Sequence, residues 1–207
     1  MAAANPPRGR FVTLEGVDGA GKSSHLASIA ARLRERHGAE VVVTREPGGT
    51  PLAEKLRALV LAEAMDPVAE TLLMFAARAD HVRLVIAPAL SRGAWVVCDR
   101  FTDATLAYQG GGKGVPADLI RRLAAAAHPG LEPDRTLVFD CPYEVARERM
   151  AGRALDRFES EERAFFERVR EAYRAIAAEA PGRVRLIDGA AALDRVKKQV
   201  EQELATI

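Results

Sequence analysis

Gly16-Val-Asp-Gly-Ala-Gly-Lys22-Ser23 is the stretch whose residue types and spacing specify chemistry most directly. Its three glycines let the backbone curl so that successive N–H groups face one point, a nest that holds phosphate oxygens. Lys22 is placed to reach the outer phosphates of a nucleotide, and the Ser23 hydroxyl to ligate Mg²⁺. The apolar run before the loop predicts a strand. The residues after it predict an amphipathic helix, whose N-terminus adds positive potential. Strand, glycine loop and helix in that order make a P-loop.

A cation beside those phosphates needs an acidic anchor. Asp99 ends the run Trp95-Val-Val-Cys-Asp99, at the carboxyl edge of a predicted strand, where open α/β sheets bind ligands. An Asp there could equally cap the next helix. A P-loop alone does not separate kinases from nucleotide switches or ATP-driven machines. No Lys-x-Asp occurs, and the single Asp-x-x-Gly, Asp18–Gly21, lies inside the P-loop, so guanine-reading and switch elements are missing. A regulatory switch is therefore the weaker reading, and a small phosphotransferase with a second pocket for an acceptor the stronger.

Four features suit that second pocket. Arg45-Glu-Pro-Gly-Gly-Thr50 follows a predicted strand and sets a rigid turn, with Glu46 and Pro47, at the ligand edge. Phe75 and Arg78, three apart on a predicted helix, offer a ring and a guanidinium to a flat heterocycle. Arg100 can clamp an acceptor phosphate through its fork of N–H donors. Tyr108-Gln-Gly-Gly-Gly112 offers an aromatic wall, an amide able to read a base edge and a flexible hinge. Taken singly, Phe75 would be core, Arg78 and Arg45 solvated, and the glycines a loop. Their joint placement after strands beside a P-loop is what raises each one.

The elements that must position these groups alternate as βα units around a parallel sheet. Strands are predicted at 10–15, 40–45, 95–99, 135–140 and 183–188. Helices are predicted at 22–37, 51–64, 67–92, 102–109, 116–127, 142–151, 159–179 and 189–205. Pro51, Pro67, Pro116 and Pro142 mark helix starts, and Gly38, Gly93 and Gly152 mark stops. Residues 1–9 read as a loose tail and 10–207 as one domain. A length of 207 residues with 48% hydrophobic and 29% charged content fits one globular α/β domain. The net charge of +1 argues against wholesale binding to nucleic acid or anionic membrane, and no apolar run is long enough to span a bilayer. Cys98 and Cys141 read as buried free thiols in a reducing, cytoplasmic setting. His25, His37, His81 and His128 show no metal spacing and read as structural or surface residues.

At FVTLEGVDGAGKSS, TREPGGTPLAEKLR, MFAAR, VVCDRF, AYQGGG and LDRFE, in this order over nearly the whole chain, the sequence resembles the thymidylate kinase family. The resemblance implies a three-layer P-loop fold whose five-stranded parallel sheet has the order 2-3-1-4-5, a mobile lid at about 147–160, and a homodimer built on helix faces. It implies ATP, with Mg²⁺, as donor to dTMP; another P-loop nucleoside or nucleoside monophosphate kinase is the alternative. Gly16, Gly19, Ala20, Gly21, Lys22, Ser23 and Ser24 would surround the ATP phosphates, and Ser23 and Asp99 the metal. Asp18 would approach the sugar 3′-hydroxyl and acceptor phosphate, Phe75 would stack on thymine, and Arg78 would meet a thymine carbonyl. Arg100 would hold the acceptor phosphate, Thr105 and Gln109 would help read the base, and Tyr108 would crowd the ribose 2′ position. One subtype of the family carries a catalytic arginine inside the P-loop, where this chain has Gly19; the other, which this chain resembles, takes it from the lid.

Charge points the same way. Arg149, Arg153 and Arg157 are spaced by four, so a helical lid would show all three on one face. An arginine delivered to a transferring phosphoryl group supplies a factor of roughly 10³–10⁵. Arg153 follows Gly152 and is preferred, with Arg149 left open. The alternative is a solvated helix stapled by Glu148, Glu159, Glu161 and Glu162. No catalytic base is needed, because a phosphate monoester with a second pKa of about 6 is already mostly ionised at neutral pH. Asp188 and Gly189, after the last strand, are placed to touch the adenine side.

Overall fold

The five apolar runs form one parallel sheet in the computed structural model, which describes residues 8–152 and 156–207. Strands β1 (Phe11–Glu15), β2 (Val41–Arg45), β3 (Trp95–Asp99), β4 (Arg135–Asp140) and β5 (Val184–Asp188) lie in the order β2-β3-β1-β4-β5. The chain thus leaves β1 to one side and returns to the other, which opens a crevice beyond the carboxyl end of β1. Register brings the strand ends level: Leu14 and Arg45 both lie opposite Asp99, Glu15 opposite Val138, and Asp140 opposite Asp188.

Helices cover both faces, as the unbroken burial of β1, β3 and β4 requires, successive residues facing opposite layers. On one face Val12, Leu14, Val97 and Leu137 pack with α1 (Lys22–His37), α8 (Arg163–Glu179) and α9 (Leu193–Leu204), through Ile29, Leu33, Val169, Tyr173, Val196 and Val200. On the other, Phe11, Val96 and Cys98 pack with Val82, Ile86 and Leu90. Each fully buried side chain of this size stabilises the fold by about 1.5–3 kcal/mol. Around this core run α2 (Pro51–Ala62), α3 (Pro67–His81), α4 (Ala87–Ser91), α5 (Thr102–Thr105), α6 (Ala117–Ala127) and α7 (Tyr143–Arg149). Cys98 and Cys141 are free and buried. Among the described residues no helix is long and apolar enough to cross a membrane.

Two helices differ from their expected form. The expected helix 67–92 is continuous but passes through a π-helical stretch, Val82–Ile86, between α3 and α4. Pro88 explains it: proline lacks the N–H and crowds the carbonyl four residues back, so the helix widens and Ala87 N–H reaches Val82 O instead. The second π-helical stretch, Leu106–Gly112, contains the glycines read as a hinge. They serve close packing: a Cβ on Gly111 would lie 2.5 Å from Ala172 Cβ, and one on Gly112 would lie 2.4 Å from the Phe165 ring, so the bare backbone lets α8 approach. Gly9, expected in the tail, is buried and donates to Leu90 O at 2.9 Å. Residues 1–7 lie outside the described residues.

Candidate active site

Lys22, buried in the first turn of α1, folds its ammonium back over the loop and donates to Gly16 O at 2.8 Å and Val17 O at 2.9 Å. Burial, reinforced by the charge of Arg100, lowers its pKa to about 8, and a phosphate in the loop would favour the charged form again. Ala20 sits buried inside the turn, while Ser23 and Ser24 face solvent at the helix start. Gly19 adopts φ +78°, and a Cβ there would lie 2.4 Å from Ala146 O. Helix α7 therefore lies directly over the loop, and no side chain fits at position 19.

Asp99 Oδ1 is buried at the end of β3 without a hydrogen-bond partner. An orphaned carboxylate oxygen of this kind suits a hard cation, to which the exposed Ser23 hydroxyl would offer a second hard oxygen. Among the described residues no group of three or more His, Cys, Asp or Glu side chains could hold a metal. A cation beside Asp99 would take its remaining ligands from phosphates and water, as Mg²⁺ does.

Arg100 joins the loop to the second pocket. It sits at φ 71°, a region sparsely populated by non-glycine residues. Its guanidinium donates to Gly16 O at 2.8 Å and to Asp18 Oδ1 at 2.7 Å, and lies 4.9 Å from the Tyr108 ring. The Tyr108 hydroxyl donates to Asp18 Oδ2 at 3.1 Å. Burial pushes the Asp18 carboxyl up, but Arg100 and Lys22 outweigh it and hold it at about 2. The backbone of this turn is fixed from below: Arg100 N–H donates to Leu14 O at 2.9 Å, and Phe101 N–H to Glu15 Oε1 at 2.7 Å. The other Glu15 oxygen accepts from Tyr173 Oη at 2.8 Å. Burial, with Asp103 nearby, raises Glu15 to about 8.

Next to Arg100 opens a cleft. Asp18, Glu46, Pro47, Arg78, Thr105, Tyr108 and Gln109, all expected at the acceptor, line it. Arg78 is buried among charges and dipoles, donating to Glu46 Oε2 at 2.6 Å and to Phe101 O and Thr105 Oγ1 at 3.1 Å each. Its Nη1 has no partner. His81 braces the pair from behind, with Nδ1 2.9 Å from Glu46 Oε1 and Nε2 2.7 Å from Thr44 Oγ1. Burial pushes Glu46 up, but Arg78 and His81 prevail and keep it below the usual carboxylate range.

Phe75 does not reach the cleft. Its ring is buried against Val115 and Ile120, 4.7 Å behind the Arg78 guanidinium carbon. Met74 and Phe101 line the cleft in its place. Positions 74 and 75 both neighbour 78 on a helix, and Arg78 divides them between cleft and core. The arginines spaced by four also part company, because α7 ends at Arg149 and does not continue. Arg149 turns to the P-loop side, donating to Gly189 O at 2.7 Å and Gly19 O at 3.5 Å. Arg157 turns the other way, to Val60 O at 3.0 Å and to Glu70. Arg153 lies outside the described residues. Glu15, Met74, His81, Phe101 and Phe158 escaped the sequence reading. Met74 and His81 had a local signal, since they fall four residues before and three after Arg78 on the same helix.

The thymidylate kinase family model matches residues 14–200. A thymidylate kinase of Bordetella pertussis is 59% identical over 199 residues, covering 96% of this chain and 95% of the relative. One from Methylobacillus flagellatus is 59% identical over 194 residues, covering 93% and 95%. The crystal structure of thymidylate kinase from Ehrlichia chaffeensis superposes with a TM-score of 0.79 at 34% identity, covering 96% of this chain and 99% of that one.

Proposed function

The chain belongs to the thymidylate kinase family, and on that premise we propose that it transfers the γ-phosphoryl group of ATP to dTMP, giving ADP and dTDP. One observation carries the reading: Asp18 is both a P-loop residue and a wall of the cleft, and Arg100 bonds it and Gly16 O at once. Two anions bound in these two places would face each other. An oxygen of the dTMP phosphate attacks the γ-phosphorus in line as the bond to the bridging oxygen of ADP breaks. Positioning and charge stabilisation drive the step, without a base. Lys22 and the loop N–H groups hold the donor, and Arg100 holds the acceptor anion. Ser23 and Asp99 would hold Mg²⁺, whose positive charge would offset the charge that develops on the phosphates.

On the acceptor side the unpartnered Nη1 of Arg78 is available to a thymine carbonyl, Met74 and Phe101 flank the ring, and Thr105 and Gln109 stand at its edge. Tyr108, fixed by Asp18, would crowd a 2′-hydroxyl and favour deoxyribose. With position 19 closed by α7, the transition-state arginine would come from the lid, Arg153 or Arg149 at the end of α7; the bond of Arg149 to Gly189 O supports placing it at the donor. Residues 147–160 would form this lid, closing on a single domain and excluding water. The exposed Leu52 and Leu59 of α2 with Val68 and Leu72 of α3 support a homodimer through these helices. A cytoplasmic, small-molecule enzyme without a nucleic-acid partner fits the near-zero net charge. The test is initial-rate kinetics with ATP and a panel of nucleoside monophosphates. Preferential conversion of dTMP to dTDP is expected; preference for another monophosphate would point to the alternative kinase, and nucleotide-dependent protein binding without transfer to a switch.

A further inference from the structure

Glu70, in the first turn of α3, is fully buried and takes no part in the cradle or the cleft lining. Its carboxylate nevertheless gathers three donors from two distant parts of the chain. Gln109 Nε2 donates at 2.8 Å and Lys113 Nζ at 2.8 and 2.9 Å, both from the π-helical stretch and its end. Arg157 Nη2 donates from the segment that follows α7. Burial pushes the Glu70 carboxyl up, but these donors prevail and keep it ionised below the ordinary range.

The two cations also hold a ring. Lys113 Nζ and the Arg157 guanidinium carbon each lie 4.7 Å from the centre of Phe158. Phe158 and Asp156 line the acceptor cleft, and Phe158 meets the Tyr108 ring edge-on at 6.0 Å. Tyr108 in turn bonds Asp18. One buried carboxylate thus fixes the amide at the base edge of the cleft and both cations that clamp the ring closing it. Two cations on one carboxylate also explain how the segment can move. If Arg157 leaves, Lys113 keeps Glu70 paired, so lifting the segment strands no buried charge.

We propose that Glu70 is the positioning residue for the nucleoside monophosphate: through Oε2 it holds Arg157 and so seats residues 156–158 over the cleft, and through Oε1 it orients Gln109, so that closure and base reading become one event. This deepens the assignment of the cleft to dTMP and rests on it. The test is a double-mutant cycle of Glu70→Gln and Arg157→Gln in the full chain, read by steady-state kinetics in dTMP and ATP and by hydrogen exchange at residues 156–159. Glu70→Gln should raise KM for dTMP about tenfold and Arg157→Gln by less, since Glu70 then still holds Gln109, both leaving KM for ATP unchanged; the double variant should match Glu70→Gln, since contacting partners do not add. Exchange at 156–159 should quicken in all three. Lower melting temperatures with both KM values unchanged, or additive effects in the double variant, would overturn the role. Should Glu70→Gln fail to fold, Arg157→Gln, on the partly exposed partner, decides alone. Wild-type protein that does not phosphorylate dTMP would overturn the cleft assignment itself; active wild type with unaltered Arg157→Gln kinetics would overturn only the role of Glu70.

Discussion

The donor cradle and the acceptor cleft share Asp18 yet are built by opposite means. The cradle is one contiguous loop made largely of main chain, with Lys22 bonded to carbonyls five and six residues back. The cleft is assembled from side chains of α3, the turn after β3, the second π-helical stretch and residues 156–158, secured by buried ion pairs such as Arg78–Glu46 at 2.6 Å. A main-chain site depends on local geometry and survives change around it. A buried side-chain site depends on every partner, because removing one strands the charge of another.

The contrast predicts where each half breaks. Glu46→Ala would leave Arg78 and His81 facing each other inside the protein and should lower stability by about 3–5 kcal/mol in denaturant unfolding, with dTMP binding lost. A change under about 1 kcal/mol would show that the cleft does not rely on that pair. Lys22→Ala should instead reduce kcat by about 10²–10³ and leave the melting temperature within a few degrees of wild type. Wild-type turnover in that variant would remove the cradle from catalysis. Met74→Ala should raise KM for dTMP by about tenfold, the worth of an apolar contact in a pocket, with KM for ATP unchanged. Phe75→Ala in the same assay should cost stability and spare that ratio; a selective loss of dTMP affinity would return Phe75 to the base.

The floor beneath both sites is tested by a pH slope. Burial raises Glu15 from 4.5 to about 8, so the stability tied to its neutral form is complete below about pH 4.5 and is lost as pH rises through 8. Glu15→Gln, neutral throughout, should flatten the decline of melting temperature between pH 5 and 8. An unchanged slope would mean that Glu15 ionises freely.

The same contrast governs what could be read before folding. All five strands and the P-loop were legible because each is a local pattern, a run of apolar residues or glycines at set spacing. The cleft was legible in its parts, Glu46, Arg78, Arg100, Tyr108 and Gln109, but not in its joints. Spacing cannot tell which of Met74 and Phe75 faces a ligand, since both neighbour position 78 and tertiary packing divides them. Glu15 reads as an ordinary strand end and Glu70 as an ordinary first-turn acid until their partners arrive, from residue 173 in one case and residues 109, 113 and 157 in the other. The Gly111–Gly112 pair looks like a hinge until α8 is seen to lie against it.

Whether the two sites face each other across Asp18 and Arg100 is decided by a structure with dTMP and a non-hydrolysable ATP analogue bound together. Expected is a dTMP phosphate oxygen within about 3.5 Å of the γ-phosphorus and in line with its leaving oxygen, Arg100 on the acceptor anion, and the base between Met74 and Phe101. A dTMP phosphate turned away from the P-loop, or a base bound outside the cleft, would contradict it.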